Sequence, residues 1–464
     1  MSWLLKGEPK EVQTLALTAG YGKPGYAYFL EMGLGKTAVT LAEIEQLRRA
    51  DLIDGAIVVC PPSLKENWAE EIEKWGLQDV RCSVWPKHNV SDDFDINILN
   101  YESLSSGSQA GKDFIQTTCL KQRIYLVLDE STQIKNNQSK RTKSLLGLSK
   151  YASFKRILSG LPMVQGPQDI WAQLKFLGAL KGVNFYAFRN RYCRMGGWMG
   201  KQVVGPKNES GLSSLLQEWS FRATKDEWTD LPPKLPPVIR KVELSKIESK
   251  HYKEMEKDFV TWVKGTESVE APQVITKLLK LQQISSGFIN DEMGNPVPLV
   301  DMPSKAKELQ MVLEESSGKV LVFCHFNYSV TLLRDVLAKQ YNPALMVSKA
   351  MQKEFGVTMQ EEKKKFEHDS SCRVFIVQTT TGKYGHTLLG GPGPDRCKNV
   401  VFYENSYSLD DRVQAEDRPH RHGQDQPVSY TDLVCSPTDK KAIVALQRKF
   451  GVADTIINSY KEMR

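Results

Sequence analysis

The stretch Glu31-Met-Gly-Leu-Gly-Lys-Thr37 follows a short apolar run and leads into a helix-forming one. Gly33 and Gly35 would let the backbone wrap closely around phosphate oxygens, and free N–H groups at a helix start favour an anion. Lys36 is then expected to reach the β and γ phosphates of a nucleotide, and the Thr37 hydroxyl to bind Mg²⁺. Leucine replaces the first glycine of the usual phosphate loop, so on this stretch alone a chance glycine-rich turn stays open.

Short apolar, β-branched runs alternate with helix-length amphipathic segments around this stretch, which is typical of parallel sheets with crossover helices. The first series of predicted strands is 28–32, 56–60, 96–99, 124–128 and 156–158. The second series is 320–323, 344–347, 374–377, 400–403 and 429–433. The predicted helices between them include 37–48, 64–75, 328–339 and 409–420. The sequence therefore predicts an α/β fold with two parallel sheets flanked by helices.

A proline-rich segment, 231–237, separates the two series of strands. Prolines at this density oppose both a helix and a central strand, so we predict an extended linker. Helical patterns follow at 246–264 and 272–284. We predict an amino-terminal domain of residues 1–230 and a carboxy-terminal domain of residues 231–464, with a helical insertion at about 242–290.

Length and composition are those of a globular protein with more than one domain, since 464 residues exceed one ordinary core. The net charge, 62 basic minus 55 acidic residues or +7, permits a polyanionic partner without requiring one. Eight scattered cysteines without a C-x-x-C pair indicate reduced thiols. No apolar run approaches the roughly 20 residues of a spanning helix, and no secretory signal is recognisable. We expect a cytoplasmic protein without a membrane partner.

An acidic pair, Asp129 and Glu130, ends the buried run Ile-Tyr-Leu-Val-Leu. A strand of this kind delivers its last residues to the carboxyl edge of a sheet, where doubly wound folds bind ligands. Asp129 is expected to hold Mg²⁺, and Glu130 to orient or deprotonate an attacking water. Taken alone, the pair is also compatible with an acidic cap on the next helix.

A basic segment in the second half runs from Gln414 to Gln424, Gln-Ala-Glu-Asp-Arg-Pro-His-Arg-His-Gly-Gln. Arg418 and Arg421 are three residues apart on a predicted helix and would share one face. Two arginines that face a nucleotide can neutralise charge on a transferred phosphoryl group, as arginine fingers do. A solvated basic helix end is the open alternative.

These segments resemble, in order, motifs of the Swi/Snf-type helicases of superfamily two. The matching segments are E-M-G-L-G-K-T, V-L-D-E-S-T-Q-I-K-N, L-S-G-L-P and Q-A-E-D-R-P-H-R-H-G-Q, for motifs I, II, III and VI. Further matches are I-V-V-C-P-P-S-L-K-E-N-W, I-L-N-Y-E-S-L, K-V-L-V-F-C-H-F and Q-T-T-T-G-K-Y-G. The resemblance covers nearly the whole chain and is closest to compact phage or bacterial members.

The resemblance implies two RecA-like P-loop lobes that use ATP and Mg²⁺ and bind DNA. It adds candidate nucleotide-site residues, which are Gln13 as the adenine-reading glutamine, Gly385 of motif V, and Gln414. The residues that would touch the DNA backbone are Ser63, Tyr101 and Thr379, with Lys65 a candidate because it is basic. The residues that would couple the ATP site to the DNA site are Ser159, Gly160 and Pro162.

Three motifs depart from the family pattern. Motif II has Thr132 where histidine is usual, and motif III reads S-G-L-P instead of T-G-T-P. Motif V has Lys383 in place of glycine and Thr387 in place of asparagine. The side chains needed for phosphoryl transfer remain, so we expect an active ATPase with altered coupling.

The resulting hypothesis is an ATP-dependent helicase or translocase, a monomer acting on duplex, forked or branched DNA in a bacterial or phage-infected cell. Single-stranded DNA stays open as a further partner, and RNA is less favoured. One alternative is a DNA-binding scaffold whose motor has decayed. Another is the motor subunit of a restriction-type complex.

Overall fold

The computed structural model describes residues 3–77, 79–85, 95–105, 109–196, 200, 202–265, 271–381 and 387–458. The chain forms two compact units: Met1–Asp230 with Arg448–Arg464, and Leu231–Gln447. Gly385 and Lys383 lie outside the described residues. None of the described helices is long and apolar enough to cross a bilayer.

The first unit alternates strands and helices. Its strands are β1 Gly25–Leu30, β2 Gly55–Cys60, β3 Cys82–Val84, β4 Ile96–Asn100, β5 Ile124–Leu128, β6 Phe154–Leu158, β7 Cys193–Gly196, β8 Gln202–Pro206 and β9 Ser220–Ala223. Its helices are α1 Glu11–Gly20, α2 Lys36–Arg49, α3 Lys65–Lys74, α4 Ala110–Lys121, α5 Lys140–Leu148, α6 Ile170–Leu177, α7 Phe185–Tyr192, α8 Glu209–Trp219 and α9 Lys225–Trp228.

Within the described residues, seven strands of the first unit form one sheet in the order β3-β4-β2-β5-β6-β1-β9. Every neighbouring pair in it is parallel. Alternate strand residues enter different buried clusters, Ala27 and Phe29 in one and Tyr26, Tyr28 and Leu30 in the other. Both faces of the sheet are therefore covered, as in other parallel sheets. The carboxyl ends of β1, β5 and β6 share one edge, which carries three of the predicted motifs.

The second unit repeats this pattern. Its strands are β10 Val238–Lys241, β11 Phe288–Asn290, β12 Pro296–Pro298, β13 Val320–Cys324, β14 Ala344–Met346, β15 Val374–Gln378, β16 Asn399–Phe402 and β17 Ser429–Val434. Its helices are α10 Lys246–Gly265, α11 Ala271–Ser285, α12 Ser304–Glu315, α13 Asn327–Tyr341, α14 Lys349–Phe355, α15 Met359–His368, α16 Leu409–Glu416 and α17 Pro437–Asn458, the last of which continues into residues assigned to the first unit. The described strands form a parallel six-stranded sheet in the order β10-β17-β16-β13-β15-β14.

The prediction of an α/β fold with two parallel sheets is confirmed. Each predicted strand has an observed counterpart, although β1 lies earlier than predicted because the chain turns at Glu31, whose carbonyl accepts from Leu34 N at 3.2 Å. The antiparallel hairpins β7–β8 and β11–β12 were not predicted. Their strands are short and lack a clear period-two pattern.

The predicted linker, 231–237, contains no helix and belongs to the second unit. Leu235 N donates to Val428 O at 2.9 Å, and Lys234 Nζ contacts Asp417 Oδ1 at 2.7 Å. His420 Nε2 lies 2.7 Å from Pro232 O. The linker is therefore tied to the turn after α16, which carries the predicted arginines.

A buried ion pair joins α2 to β6 in the first unit. Glu43 and Arg156 are both fully buried, and Arg156 Nε donates to Glu43 Oε2 at 2.9 Å. The hydroxyls of Tyr28 and Tyr125 donate to the same oxygen at 2.7 and 2.6 Å. Burial, followed by the Glu43 charge, raises the pKa of both phenols. The network links one helix to three strands beneath the nucleotide edge.

Replacing Arg156 with methionine is expected to lower the free energy of unfolding by about 3–5 kcal/mol, because Glu43 would stay buried without its counter-charge. Urea unfolding of the full chain measures the change. The double variant Glu43→Gln/Arg156→Met should be less destabilised than Arg156→Met, since it keeps an acceptor for the tyrosines and buries no charge. Arg123→Ala, which removes an exposed pair with Asp54, is the control and should barely shift the transition. Equal losses in the single and double variants would contradict a charge effect.

Candidate nucleotide site

The phosphate loop connects the end of β1 to the start of α2. Gly33 and Gly35 have φ values of 90° and 87°, in the region that favours glycine. A Cβ on Gly35 would lie 2.0 Å from Gln13 Nε2, so no other residue fits there without displacing that side chain. Lys36 Nζ donates to Leu30 O at 2.9 Å. The loop therefore has the backbone form that the sequence predicts for binding phosphate.

Gln13 lies on α1 and packs against this loop. Its side chain is buried, its Oε1 accepts from Lys10 N at 2.8 Å, and its Nε2 donates to Leu34 O at 3.4 Å. The fold thus places Gln13 beside the phosphate loop, twenty-one residues away in sequence from its partner. Its role in reading adenine stays a prediction.

The acidic pair follows β5 and is buried. Asp129 Oδ1 accepts from Glu130 N at 2.9 Å, and Asp129 Oδ2 accepts from Trp68 Nε1 at 2.9 Å. Burial raises the pKa of Asp129 above its usual range, while the Trp68 hydrogen bond and the Lys36 ammonium act in the opposite direction. The phosphate-loop ammonium therefore favours the ionised form of this carboxylate.

Glu130 has an uncommon backbone conformation. Its φ of 49° and ψ of 56° place a non-glycine residue in the left-handed region. Such a conformation costs about 1–3 kcal/mol and is typical of functional sites. It turns the chain at the end of β5, where the short helical turn Ser131–Ile134 begins.

The donor set suits Mg²⁺ bound together with phosphates. Thr37 lies at the start of α2, after β1, and Asp129 follows β5, so both offer hard oxygen ligands at the same edge of the sheet. Among the described residues, no group of three or more histidine, cysteine, aspartate or glutamate side chains forms a metal site.

The predicted coupling segment, which follows β6, is connected to both the phosphate loop and the segment after the acidic pair. A Cβ on Gly160 would lie 3.5 Å from Met32 N, so this segment passes directly against the phosphate loop. Pro162 O accepts from Gln173 Nε2 at 2.8 Å, and Gln173 Oε1 accepts from Ser131 Oγ at 2.7 Å. Ser159 Oγ accepts from Leu161 N at 3.1 Å and shapes the turn. The fully buried Gln173 therefore connects motif II to motif III.

Three residues of this site were not recognised in the sequence. Trp68 lies on α3, and its indole N–H donates to Asp129 Oδ2. The signal that could have identified Gln173 is its position as the single amide side chain in the largely apolar helix Ile-Trp-Ala-Gln-Leu-Lys-Phe-Leu. Lys225 is buried, donates its backbone N–H to Glu31 Oε2 at 2.8 Å, and has Cε 3.9 Å from the Cβ position of Gly33. No local pattern pointed to Lys225.

The predicted helix 409–420 is shorter than expected. The observed helix ends at Glu416, because Pro419 disfavours helical geometry at the residue before it. Arg418 and Arg421 therefore lie in the following turns, and the prediction that they share a helical face is wrong. Arg418 is fully buried, whereas Arg421 is half-buried and donates from Nη1 to Thr387 Oγ1 at 3.3 Å. Gln414 Nε2 donates to Asp410 Oδ1 at 2.8 Å.

Two predicted DNA contacts need correction. Tyr101 is fully buried, and its hydroxyl donates to Asp129 O at 2.8 Å, so it supports motif II instead of meeting DNA. Thr379 is buried as well, and its hydroxyl donates to Cys324 O at 2.9 Å. Each of these hydroxyls therefore binds a backbone carbonyl at the end of another strand. Ser63 is exposed, and the ammonium of Lys65 donates to Trp85 O, so both stay candidates.

Comparison with known proteins identifies the family to which this chain is similar. Residues 25–288 match the model of the SNF2-related domain. The mouse "DNA annealing helicase and endonuclease ZRANB3" is 25% identical over 449 residues, which cover 93% of this chain and 39% of that protein. The Arabidopsis thaliana "Protein CHROMATIN REMODELING 5" is 25% identical over 458 residues, 92% of this chain and 25% of that protein. The chain thus spans two fifths or less of these relatives.

A solved structure described as the Sulfolobus solfataricus SWI2/SNF2 ATPase core in complex with dsDNA aligns with a TM-score of 0.43 and 21% identity. The alignment covers 100% of this chain and 98% of that one. The family match alone covers more than half of the chain and includes the phosphate loop, the acidic pair and the coupling segment. This chain belongs to the SNF2-related domain family.

Proposed function

We propose that the chain is a DNA-stimulated ATPase that uses ATP hydrolysis to move along duplex or branched DNA. The observation that carries this proposal is the arrangement at one sheet edge of the first unit. The phosphate loop after β1, the acidic pair after β5 and Gly160 after β6 lie at this edge, and Gly160 packs against the loop backbone. The residues proposed to bind the nucleotide are therefore adjacent to the segment proposed to couple the ATP site to the DNA site.

Each side chain has a distinct role in this proposal. Lys36 would bind the β and γ phosphates, and bound Mg²⁺, held by Thr37 and Asp129, would neutralise phosphate charge. Glu130 would orient the attacking water and accept its proton. Arg421 would stabilise charge on the transferred phosphoryl group, with Gln414 and Arg418 supporting the same segment.

Two observations support DNA as the substrate, the descriptions of similar proteins and the candidate DNA contacts at the start of α3. The mouse relative is described as a DNA annealing helicase, and the archaeal structure contains double-stranded DNA. A motor needs sequence-independent grip, which phosphate contacts supply. Ser63 and Lys65, at the start of α3, would provide part of that grip. We propose a monomer acting in the cytoplasm.

The test is phosphate release by the purified chain with no polymer and with single-stranded, duplex, forked and four-way DNA and RNA. Stimulation by duplex or branched DNA is the expected result, and stimulation should weaken as salt rises because phosphate contacts release counterions. DNA binding without any hydrolysis would support the decayed scaffold instead. Stimulation by RNA alone would overturn the proposed substrate.

A further inference from the structure

Asp129 is held at both carboxylate oxygens by groups from different parts of the first unit. Glu130 N donates to Oδ1 at 2.9 Å, and Trp68 Nε1 donates to Oδ2 at 2.9 Å. The backbone is held too, since Asp129 N donates to Val59 O at 2.9 Å and Tyr101 donates to Asp129 O at 2.8 Å. The indole is the one side-chain donor to this carboxylate among the hydrogen bonds of the described residues. Without it, only the neighbouring backbone N–H would define the carboxylate orientation.

Trp68 belongs to the helix that begins with the candidate DNA contacts. The turn Pro62–Leu64 leads directly into α3, whose first residue is Lys65. Lys65 and Trp68 are three residues apart and so lie on neighbouring turns of one helical face. Ser63 is exposed, whereas Trp68 is only 2% exposed. The exposed turn and the buried indole therefore belong to one continuous segment at the start of α3, and its buried residue binds Asp129.

We propose that Trp68 is a positioning residue that orients Asp129 for Mg²⁺ and transmits contact between DNA and the start of α3 to the nucleotide site. The part of this inference that concerns DNA rests on the proposed function. A donor behind a metal-binding carboxylate commonly contributes 10–100-fold in metal affinity or activity. A small displacement of α3 would move the indole and, through its hydrogen bond, the carboxylate.

An ordinary packing role for Trp68 makes a different prediction. The side chain belongs to a large buried cluster with Val58, Cys60 and Ile72, so it also stabilises the fold. If packing were its whole role, phenylalanine would be the better substitute and histidine the worse one. If the N–H is what matters, the order reverses, because the Nε2–H of histidine occupies the same ring position as the indole Nε1–H.

The experiment compares Trp68→Phe, Trp68→His and the control Trp75→Phe. Trp75 follows the other end of the same helix, and its indole donates to Glu71 Oε2 at 2.6 Å, away from Asp129. Calorimetry at pH 8, where histidine is neutral, measures ADP affinity with and without Mg²⁺. The affinity without Mg²⁺ checks that each variant is folded. Should Trp68→Phe fail that check, Trp68→Leu serves as the variant without a donor.

We expect Trp68→Phe to bind ADP in the absence of Mg²⁺ with the affinity of the wild type. The factor by which Mg²⁺ increases ADP affinity should be about 10–100-fold smaller in this variant than in the wild type. Trp68→His should retain most of that gain, and Trp75→Phe all of it. In the phosphate-release assay, DNA should increase the kcat of Trp68→Phe less than it increases that of the wild type. The DNA concentration that gives half-maximal stimulation should be the same for both. An unchanged Mg²⁺ gain in Trp68→Phe would overturn the proposal even if the wild type is an active motor. The ADP measurements decide it even if the wild type hydrolyses no ATP.

Discussion

Replacing Glu130 with glutamine is expected to lower the kcat for DNA-stimulated ATP hydrolysis by about 10²–10⁴-fold, the usual contribution of a general base. Glutamine has nearly the same volume but cannot accept the proton of the attacking water. The backbone hydrogen bonds from Glu130 N to Asp129 and from Gln133 N to Glu130 O do not depend on the carboxylate. The variant should therefore stay folded and keep its affinity for ATP.

Steady-state phosphate release, combined with equilibrium binding of ATP, measures both quantities for this variant. Glu70→Gln, which neutralises an exposed carboxylate on α3, is the matched control and should hydrolyse ATP like the wild type. Lys36→Ala should also abolish turnover, but with weaker nucleotide binding because it removes a phosphate contact. A Glu130→Gln variant with wild-type kcat would show that another group activates water.

Replacing Arg421 with alanine is expected to lower kcat by about 10³-fold or more while ADP affinity stays unchanged. The reason is that an arginine finger binds charge that develops only during phosphoryl transfer. Arg421 is half-buried, with its Nη1 3.3 Å from Thr387 Oγ1 and its Nε 3.3 Å from Asp417 O. The acceptors of these two hydrogen bonds are neutral oxygens of the same unit.

Arg421→Lys should recover only part of the lost rate, since lysine keeps the charge but not the planar fork. Arg334→Ala, which removes a partly exposed arginine beside Asp335 on α13, serves as the control in the same unit. Normal hydrolysis by Arg421→Ala would remove the second unit from the proposed chemistry. A loss of ADP binding would instead assign Arg421 to ground-state recognition.

Much of the fold was predictable because its signals are local. The run from residue 124 to 128 is uniformly apolar, and it forms β5 with every residue buried. The proline-rich segment at 231–237 is extended, as the missing N–H groups of proline require. The phosphate loop was recognisable because Gly33 and Gly35 are needed where the backbone adopts positive φ. In each case the cause acts within a few residues.

Predictions that depended on side-chain surroundings were less successful. Tyr101 and Thr379 occupy positions associated with DNA contact, yet both hydroxyls are consumed by backbone carbonyls at strand ends. The arginine segment was predicted as a longer helix because its pattern is amphipathic, but Pro419 ends the helix early. The break at Pro419 is a local signal that the amphipathic pattern concealed. Burial depends instead on which strands become neighbours, and periodicity carries little information about that.

The sequence by itself determined the order of strands and helices, the phosphate loop, the acidic pair and the identity of the reactive groups, because each depends on short-range pattern and residue chemistry. Only the tertiary structure decided which distant residues support them. Trp68 meets Asp129 across 61 residues, and Glu43 meets Arg156 across 113. Hydrogen-bond partners at such separations are selected by sheet order and helix packing, so only the folded chain reveals which residues position the candidate catalytic groups.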